Sequence, residues 1–414
     1  NSDIEFLREL GYEEDFLEYL SNMKFTGNIR SVKEGEIIFA NEPLLRIEAP
    51  LIQAQIMETA ILNIVNYQIL IATKAARIKH LCPDEVCMEF GTRRAHEFDA
   101  AIWGTRASII GGFDATSNVK AAKLFNIPCS GTHAHSFVQA YEDEEVAFKK
   151  YAAAHKDCYF LVDTYDTLRS GIPTAIKVAD ELKDEINFHG IRLDSGDIAY
   201  LSKEARKMLD EAGYPNAKIV ASNDLDEDTI THLKQEGACI DAWGVGTKLI
   251  TAYDNPALGA VYKLACLEND KGEMIDRLKV SENPAKLTVP GVKKVYRIIN
   301  TDTGMAAGDY IALEKEDVNA EQSIKLFHPT HTYLAKEVKN FKAIDIHEDI
   351  FVNGEQVYEV PTVQESAKYF QKNKELLWNE YLRLLNPEFY PVDLSAKCWQ
   401  NRKEILERVT KKSK

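Results

Sequence analysis

The 414-residue sequence lacks the cysteine pattern of a metal-binding or disulfide-framed protein. Its seven cysteines (82, 87, 129, 158, 239, 266 and 398) are odd in number, scattered and never spaced as Cys-x-x-Cys, which points to reduced thiols and a cytoplasmic location. No His-Glu-x-x-His occurs, so zinc on His133 and His135, or on His328 and His331, has no supporting signature and is disfavoured. Basic residues are also in deficit: 50 Lys and Arg stand against 65 Asp and Glu, a net charge of −15. A duplex-binding surface needs the opposite balance, so nucleic acid is not expected as a partner, although a local cationic pocket stays open. With 13 prolines, no repeats and no low-complexity segment, disordered and collagen-like classes are excluded. A long uninterrupted apolar run is missing too. The longest, Leu51 to His80, is broken by Gln53, Gln55, Glu58, Asn63, Asn66 and Gln68. A membrane span needs about 20 nearly unbroken apolar residues, so this stretch reads as a buried helix of a soluble protein, with no membrane partner and no preceding signal peptide. The chain starts at Asn1 without Met, inside a helical pattern of Ile4, Leu7, Leu10, Phe16, Leu17 and Leu20, as a trimmed N-terminus would.

What is present is a core-forming composition, 45% hydrophobic and 28% charged, over a length that suits about two domains. Between Cys87 and about Cys266, short apolar runs alternate with amphipathic stretches. The runs are 86–90, 108–110, 127–129, 159–162, 190–193, 219–221, 240–243 and 260–264, and eight of them suit an α/β fold of (β/α) barrel type. A doubly wound open sheet is the competing arrangement. Residues 25–50 and 290–360 read as β structure, the latter ending in a hairpin at Asn353-Gly354, and the two flanks are expected to form one domain that the barrel interrupts. Helices follow at 363–385 and 395–410. The expected division is 1–82 for the N-terminal flank and linking helix, 83–268 for the barrel, and 269–414 for the C-terminal flank with its helices.

The residues after each run are polar or glycine-rich: Gly91-Thr92-Arg93-Arg94, Gly111-Gly112-Phe113-Asp114, Gly131-Thr132-His133-Ala134-His135-Ser136, Asp163-Thr164-Tyr165-Asp166, Asp194-Ser195-Gly196-Asp197, Ser222-Asn223-Asp224 and Gly244-Val245-Gly246-Thr247-Lys248. In a barrel these ends converge on one mouth, so residues more than 150 positions apart would face a single substrate. Gly246 and Thr247 can cradle a phosphate with backbone N–H groups, or simply make a tight turn before a helix. Buried at strand ends, Asp163 and Asp194 need a divalent cation, an arginine or sugar hydroxyls, whereas Asp166 and Asp197 suit helix caps. Arg192 can point inward to bind an anion or pair with a strand-end carboxylate. Arg93 and Arg94 offer two guanidiniums to a carboxylate or phosphate, and Arg106 suits either that role or a surface helix. Lys248 is either cationic support or a Schiff-base lysine of an aldolase. The sum is a barrel mouth for a sugar phosphate carrying more than one phosphate group.

These motifs, Glu89-Phe90-Gly91-Thr92-Arg93-Arg94, Gly-Thr-x-Ala-His-Ser at 131–136, Val162 to Asp166, Ile191 to Asp197, Ala221 to Asp224 and Trp243 to Thr247, resemble the bacterial nicotinate phosphoribosyltransferase family in order and approximate spacing. The likeness extends over essentially the whole chain, including Lys279-Val280-Ser281-Glu282-Asn283-Pro284-Ala285-Lys286 and Pro290-Gly291. It implies a type II phosphoribosyltransferase: an incomplete (β/α) barrel with an α/β sandwich domain built from both flanks, working as a cytoplasmic homodimer. The implied reaction joins nicotinate and phosphoribosyl pyrophosphate into nicotinate mononucleotide and pyrophosphate for NAD synthesis, with Mg2+ and with ATP as co-substrate. By the same resemblance His135, not His133, is the phosphorylated histidine, and His135, Asp163 and Asp194 form the catalytic set. Thr132 and Arg192 would hold nicotinate, Arg93 and Asp114 the phosphoribosyl pyrophosphate, Asp163 and Asp194 the ribose or metal, and Gly246 and Thr247 the 5-phosphate, with Ser222 and Asn223 also lining the substrate. The family's leading Thr-Asp-x-Tyr type segment, whose tyrosine stacks on the pyridine ring, has no counterpart here; without it base binding would be impaired. Rival readings are a nicotinamide phosphoribosyltransferase, the shorter quinolinate enzymes, a lyase or aldolase using Lys248, and a phosphate-binding protein without turnover.

Overall fold

The computed structural model describes residues 2–280, 288–329 and 331–412. Two strands open the chain, β1 (Asn28–Val32) and β2 (Leu45–Glu48), followed by the helices Leu51–Ile56 and Glu58–Leu81. Six parallel strands come next: β3 (Val86–Glu89), β4 (Ala115–Thr116), β5 (Asp157–Leu161), β6 (Asn187–Leu193), β7 (Lys218–Ser222) and β8 (Ala242–Val245). Their order, β4-β3-β8-β7-β6-β5, pairs β8 with β3 and leaves β4 and β5 as the two edge strands of the sheet. One isolated bridge, Thr116 to Cys129, starts to cross the gap. The result is the expected incomplete barrel, with a break where a third strand would stand.

Side-chain alternation along these strands explains the packing. Cys158, Phe160, Ile191, Leu193 and Ile219 face outward onto the covering helices, while Met88, Ala115, Val220 and Ala242 meet inside. Arg192 lies between Ile191 and Leu193, so it points inward, which settles its direction.

Three expected strands are not strands. Ser108–Ile110 is the last turn of the helix Phe98–Ile110, Ile127–Cys129 makes only the single bridge, and 260–264 has no regular structure. Short apolar runs look alike in a buried helix end and a buried strand, and β4, with two residues, is too short to leave a periodic signal.

The apolar stretch from Leu51 also departs from expectation. By length and composition Leu51–Leu81 is apolar enough to cross a membrane. Its second half packs on the barrel through Leu70, Ile71, Ala75 and Ile78, and buried Lys74 pairs with Glu227 at 2.5 Å. Its first half is not buried: Leu51, Ile52, Ile56 and Ile64 are 42–57% exposed.

The chain then forms β9 (Cys266–Glu268) with β10 (Met274–Asp276), β11 (Lys293–Asn300), β12 (Ala306–Leu313), β13 (Ser323–Phe327) with β14 (Ala335–Lys339), β15 (Phe341–Asp345), β16 (His347–Val352), β17 (Glu355–Gln356) and β18 (Val392–Leu394). A sheet of order β17-β16-β1-β2 joins the two flanks as expected, and a second has order β15-β11-β12-β18. Buried Arg297 fastens them: it donates to Asp309 at 3.0 and 2.8 Å, to Glu36 at 2.5 Å and to the Ile37 carbonyl at 2.6 Å. The hairpin turn at Asn353-Gly354 has φ of +51° and +82°, the double left-handed geometry that favours this dipeptide.

Candidate active site

Three strand ends and the loop after Cys129 bring eight polar side chains to one place: Thr132, His135, Asp163, Thr164, Arg192, Asp194, Ser195 and Ser222. Arg192 is the hub. Its Nε donates to Ser222 Oγ at 2.8 Å, Nη1 to Thr132 Oγ1 at 3.0 Å, and Nη2 to Asp194 Oδ1 at 2.6 Å, with the guanidinium 5.6 Å from the Phe90 ring centroid. Three of the five N–H groups are thereby committed and two remain for a ligand. Burial works against ionisation of Asp194, but the Arg192 charge and the Ser222 and Arg192 hydrogen bonds outweigh it and hold Asp194 below the usual carboxylate range. Of the two alternatives for Arg192 the strand-end ion pair is present, and it leaves two donors over.

His135 begins the short helix His135–Gln139 and faces two carboxylates. Its Nδ1 lies 3.0 Å from Thr164 Oγ1, and Nε2 lies 3.8 Å from Asp163 Oδ1 and 3.7 Å from Asp194 Oδ2. Asp163 Oδ2 accepts from the Asp194 amide at 2.9 Å and from Ser195 Oγ at 2.6 Å, while its buried Oδ1 has no hydrogen-bond partner. The two outward oxygens of Asp163 and Asp194 therefore aim into the same space as Nε2. No cluster of three metal-ligating side chains occurs among the described residues. A pair of carboxylates nevertheless fits Mg2+, which keeps waters and binds jointly to substrate phosphates. Asp166 and Asp197 do cap local turns, accepting from the Arg169 amide at 2.9 Å and the Tyr200 amide at 3.0 Å.

His133 is buried and turned away from this cluster. Its ring packs among Phe137, Phe148, Tyr151 and Phe160, and Nε2 accepts from the Leu161 amide at 3.1 Å. Burial in that aromatic box pushes its pKa down to about 4, so it is neutral at pH 7.

The remaining expected residues fall in three groups. Arg93, exposed on the turn Thr92–Arg94, is directed from the β3 end, where buried Glu89 holds the turn by accepting from the Gly91 amide and from Thr105 and Thr116 at 2.9 and 2.7 Å. Gly246 and Thr247 follow β8 at the same end, and Asn223, with φ of +83°, follows β7. Ser195, Ser222, Asn223, Asp224 and Lys248 line a cavity of about 410 Å3 beside them. Asp114 is a correction. Its Oδ2 accepts from the Cys87 amide at 2.8 Å and from Lys79 at 2.9 Å, so it sits at the N-terminal end of β3 and β4, across the sheet from the mouth. The presumed strand 108–110 put it at the wrong end. Arg106 is likewise neither a mouth residue nor a surface one: it is buried against Glu34 and the Phe125 ring. Lys248 pairs with Asp226 at 2.5 Å, and that hydrogen bond raises its pKa, the opposite of what a Schiff-base amine needs.

Comparison with known proteins decides the family. The chain matches the nicotinate phosphoribosyltransferase N-terminal domain over residues 1–66, the nicotinate phosphoribosyltransferase family over 86–281 and the C-terminal domain over 292–402. It is 62% identical over 410 residues to the Bacillus subtilis nicotinate phosphoribosyltransferase, covering 99% of this chain and 84% of that one. The chain belongs to the nicotinate phosphoribosyltransferase family. The crystal structure of human nicotinic acid phosphoribosyltransferase superposes with a TM-score of 0.83 at 27% identity, covering 98% of this chain and 88% of that one. Nicotinate-nucleotide pyrophosphorylase from Pyrococcus furiosus follows at a TM-score of 0.65 and 26% identity, over 86% and 83% of the two chains.

Within this nicotinate phosphoribosyltransferase fold, sequence reading passed over Glu89, Phe90, Thr164 and Ser195 as individual actors. Glu89 carried a usable signal, a carboxylate closing an otherwise apolar strand. Thr164 and Ser195 carried none, because hydroxyls are common at strand ends. Residues 281–287, which cover most of the Lys279-to-Lys286 motif, lie outside the described residues, as does Thr330 between His328 and His331.

Proposed function

We propose that this chain transfers the phosphoribosyl group of phosphoribosyl pyrophosphate to nicotinate, releasing pyrophosphate and forming nicotinate mononucleotide for NAD synthesis, coupled to ATP hydrolysis through phosphorylation of His135. The observation that carries the reading is the Arg192 fork, with two donors left over, directly beside His135 and its two carboxylates. A planar guanidinium matches the carboxylate of nicotinate in a way that it cannot match a neutral amide. Thr132 and Arg192 would hold the base, Arg93 the pyrophosphate, Ser222 and Asn223 the ribose side, and Gly246 with Thr247 the 5-phosphate.

Pyrophosphate departure develops positive charge at the ribose C1 as the pyridine nitrogen attacks, so the site needs alignment and fixed negative charge more than a strong base. Asp163 and Asp194 supply that charge. Bound with pyrophosphate, Mg2+ would neutralise the leaving group. In the coupled step a proton on Nε2 of His135 faces the two carboxylates, 3.8 and 3.7 Å away, leaving the lone pair on Nδ1, where only the Thr164 hydroxyl must turn aside. Nδ1 then attacks the terminal phosphorus of ATP, the bond to the ADP oxygen breaks, and water later hydrolyses the phosphoramidate. A phosphorylated His135 adds charge and acceptor oxygens beside the carboxylates.

A homodimer is favoured by the exposed apolar residues between Leu51 and Ile64, on the helix Leu51–Ile56 and the start of the next, and a cytoplasmic location by seven free thiols. The decisive experiment is incubation with labelled ATP and Mg2+, followed by intact mass and acid-lability analysis of wild type and His135→Ala. An acid-labile phosphoryl group, absent from the variant, is expected; label retained in His135→Ala would sink the assignment.

A further inference from the structure

The barrel break leaves a structural debt that one side chain meets. β5 pairs only with β6, so its other edge has no strand partner among the described residues. Successive backbone N–H groups of a strand point to opposite sides. The Val162 amide donates to the Arg192 carbonyl at 3.2 Å on the β6 side, so the Leu161 amide faces the gap. There it finds His133 Nε2 at 3.1 Å. The ring is 7% exposed and boxed by four aromatic side chains, so neither water nor an alternative rotamer can easily replace it.

The spacing of this contact gives it a bearing on the chemistry. His133 lies two residues before His135, and Leu161 two residues before Asp163. This bond across the gap, with the 3.0 Å contact of His135 Nδ1 and Thr164 Oγ1 beside it, therefore ties the loop that carries the His135 imidazole to the turn that carries Asp163 and Thr164. Thr132 is anchored separately by Arg192 at 3.0 Å, so the base contacts do not depend on the same tie. We propose that His133 is a positioning residue: its imidazole replaces the missing backbone partner of β5 and sets the distance of His135 from Asp163 and Thr164. The kinetic consequence rests on the functional reading above; the structural one does not.

The test compares wild type, His133→Leu and His133→Gln. Leucine keeps bulk and removes the acceptor, whereas the glutamine Oε1 can occupy the place of Nε2 and accept. Hydrogen exchange at the Leu161 amide should speed up by about tenfold or more in His133→Leu and return towards wild type in His133→Gln. Under steady state, kcat should fall about tenfold in His133→Leu with the KM for nicotinate within about twofold, and the glutamine variant should recover most of it. Unchanged Leu161 exchange in the leucine variant, equal impairment of both variants, or a loss confined to KM overturns the proposal. If His133→Leu does not fold, the glutamine variant decides: a protected Leu161 amide supports the strut and an unprotected one refutes it. Failure of wild type to use nicotinate would refute the functional reading while the exchange experiment still judged the strut.

Discussion

Arg192→Lys separates charge from geometry at the base site. The arginine makes three hydrogen bonds, to Ser222 at 2.8 Å, Thr132 at 3.0 Å and Asp194 at 2.6 Å, and stacks over Phe90 at 5.6 Å. A lysine ammonium keeps the pairing with Asp194 but cannot span the fork. Two hydrogen bonds to hydroxyls are lost, at about 1 kcal/mol each, and so is one charge-assisted bond of the grip on a carboxylate, at about 1.5–3 kcal/mol. For nicotinate the sum is about 3.5–5 kcal/mol before compensation, a fall in kcat/KM of about 10²–10³ after the ammonium recovers part of it. Nicotinamide has no carboxylate to lose, so its kcat/KM should fall only by the positioning share, about tenfold. Steady-state assays with both bases read the difference directly. An equal fall for the two bases would show that Arg192 supports the loop and does not read the substrate; no fall for nicotinate would remove it from the base site altogether.

The pH dependence of stability reports on His133. Its pKa drops from 6.5 to about 4 on folding, so the unfolded chain binds more protons between those values and native stability falls as the pH drops through that window, by up to about 3 kcal/mol. Urea unfolding at pH 7.5 and pH 5 should show a flatter dependence in His133→Gln, and an unchanged slope would contradict the burial argument. Gly244→Ala would place a methyl group 2.6 Å from the Phe90 ring, a clash costing about 1–3 kcal/mol and tilting the ring on which Arg192 stacks. A lower melting temperature together with weaker nicotinate use is expected, and an unperturbed variant would show that the ring can shift freely. If the proposed homodimer forms through this face, Ile56→Glu combined with Ile64→Glu, at positions 47% and 57% exposed, should leave the fold intact and give a monomer in sedimentation where wild type gives a dimer. A dimer surviving both substitutions would place the subunit contact elsewhere.

The strands that carry the chemistry were legible because burial on both faces forces apolar runs, and because each run ends in polar residues: β5 before Asp163, β6 before Asp194, β7 at Ser222 and β8 before Gly246. The misplaced residue, Asp114, follows from the one stretch where that logic fails. Ser108–Ile110 is as apolar as a strand because the helix end it belongs to is buried on all sides. Similarly, the first half of the Leu51–Leu81 stretch has the composition of a core helix yet stands exposed, since hydropathy does not say what will cover a surface.

His133 and His135 show the division most clearly. The sequence by itself determined the inventory at the barrel mouth: two histidines, two aspartates and an arginine, at strand ends that the parallel topology had to bring together. It also determined the family, since motifs kept in order along the chain need no coordinates to be compared. The resemblance already separated His135 from His133, but only the tertiary structure shows what each imidazole does: His135 faces the carboxylates and His133 becomes part of the wall. The reason is physical: a one-dimensional pattern specifies the residues on either side of the barrel break, but which backbone amide lacks a strand partner there, and which ring reaches it, follows from the three-dimensional closure of β8 onto β3 and the gap left between β4 and β5.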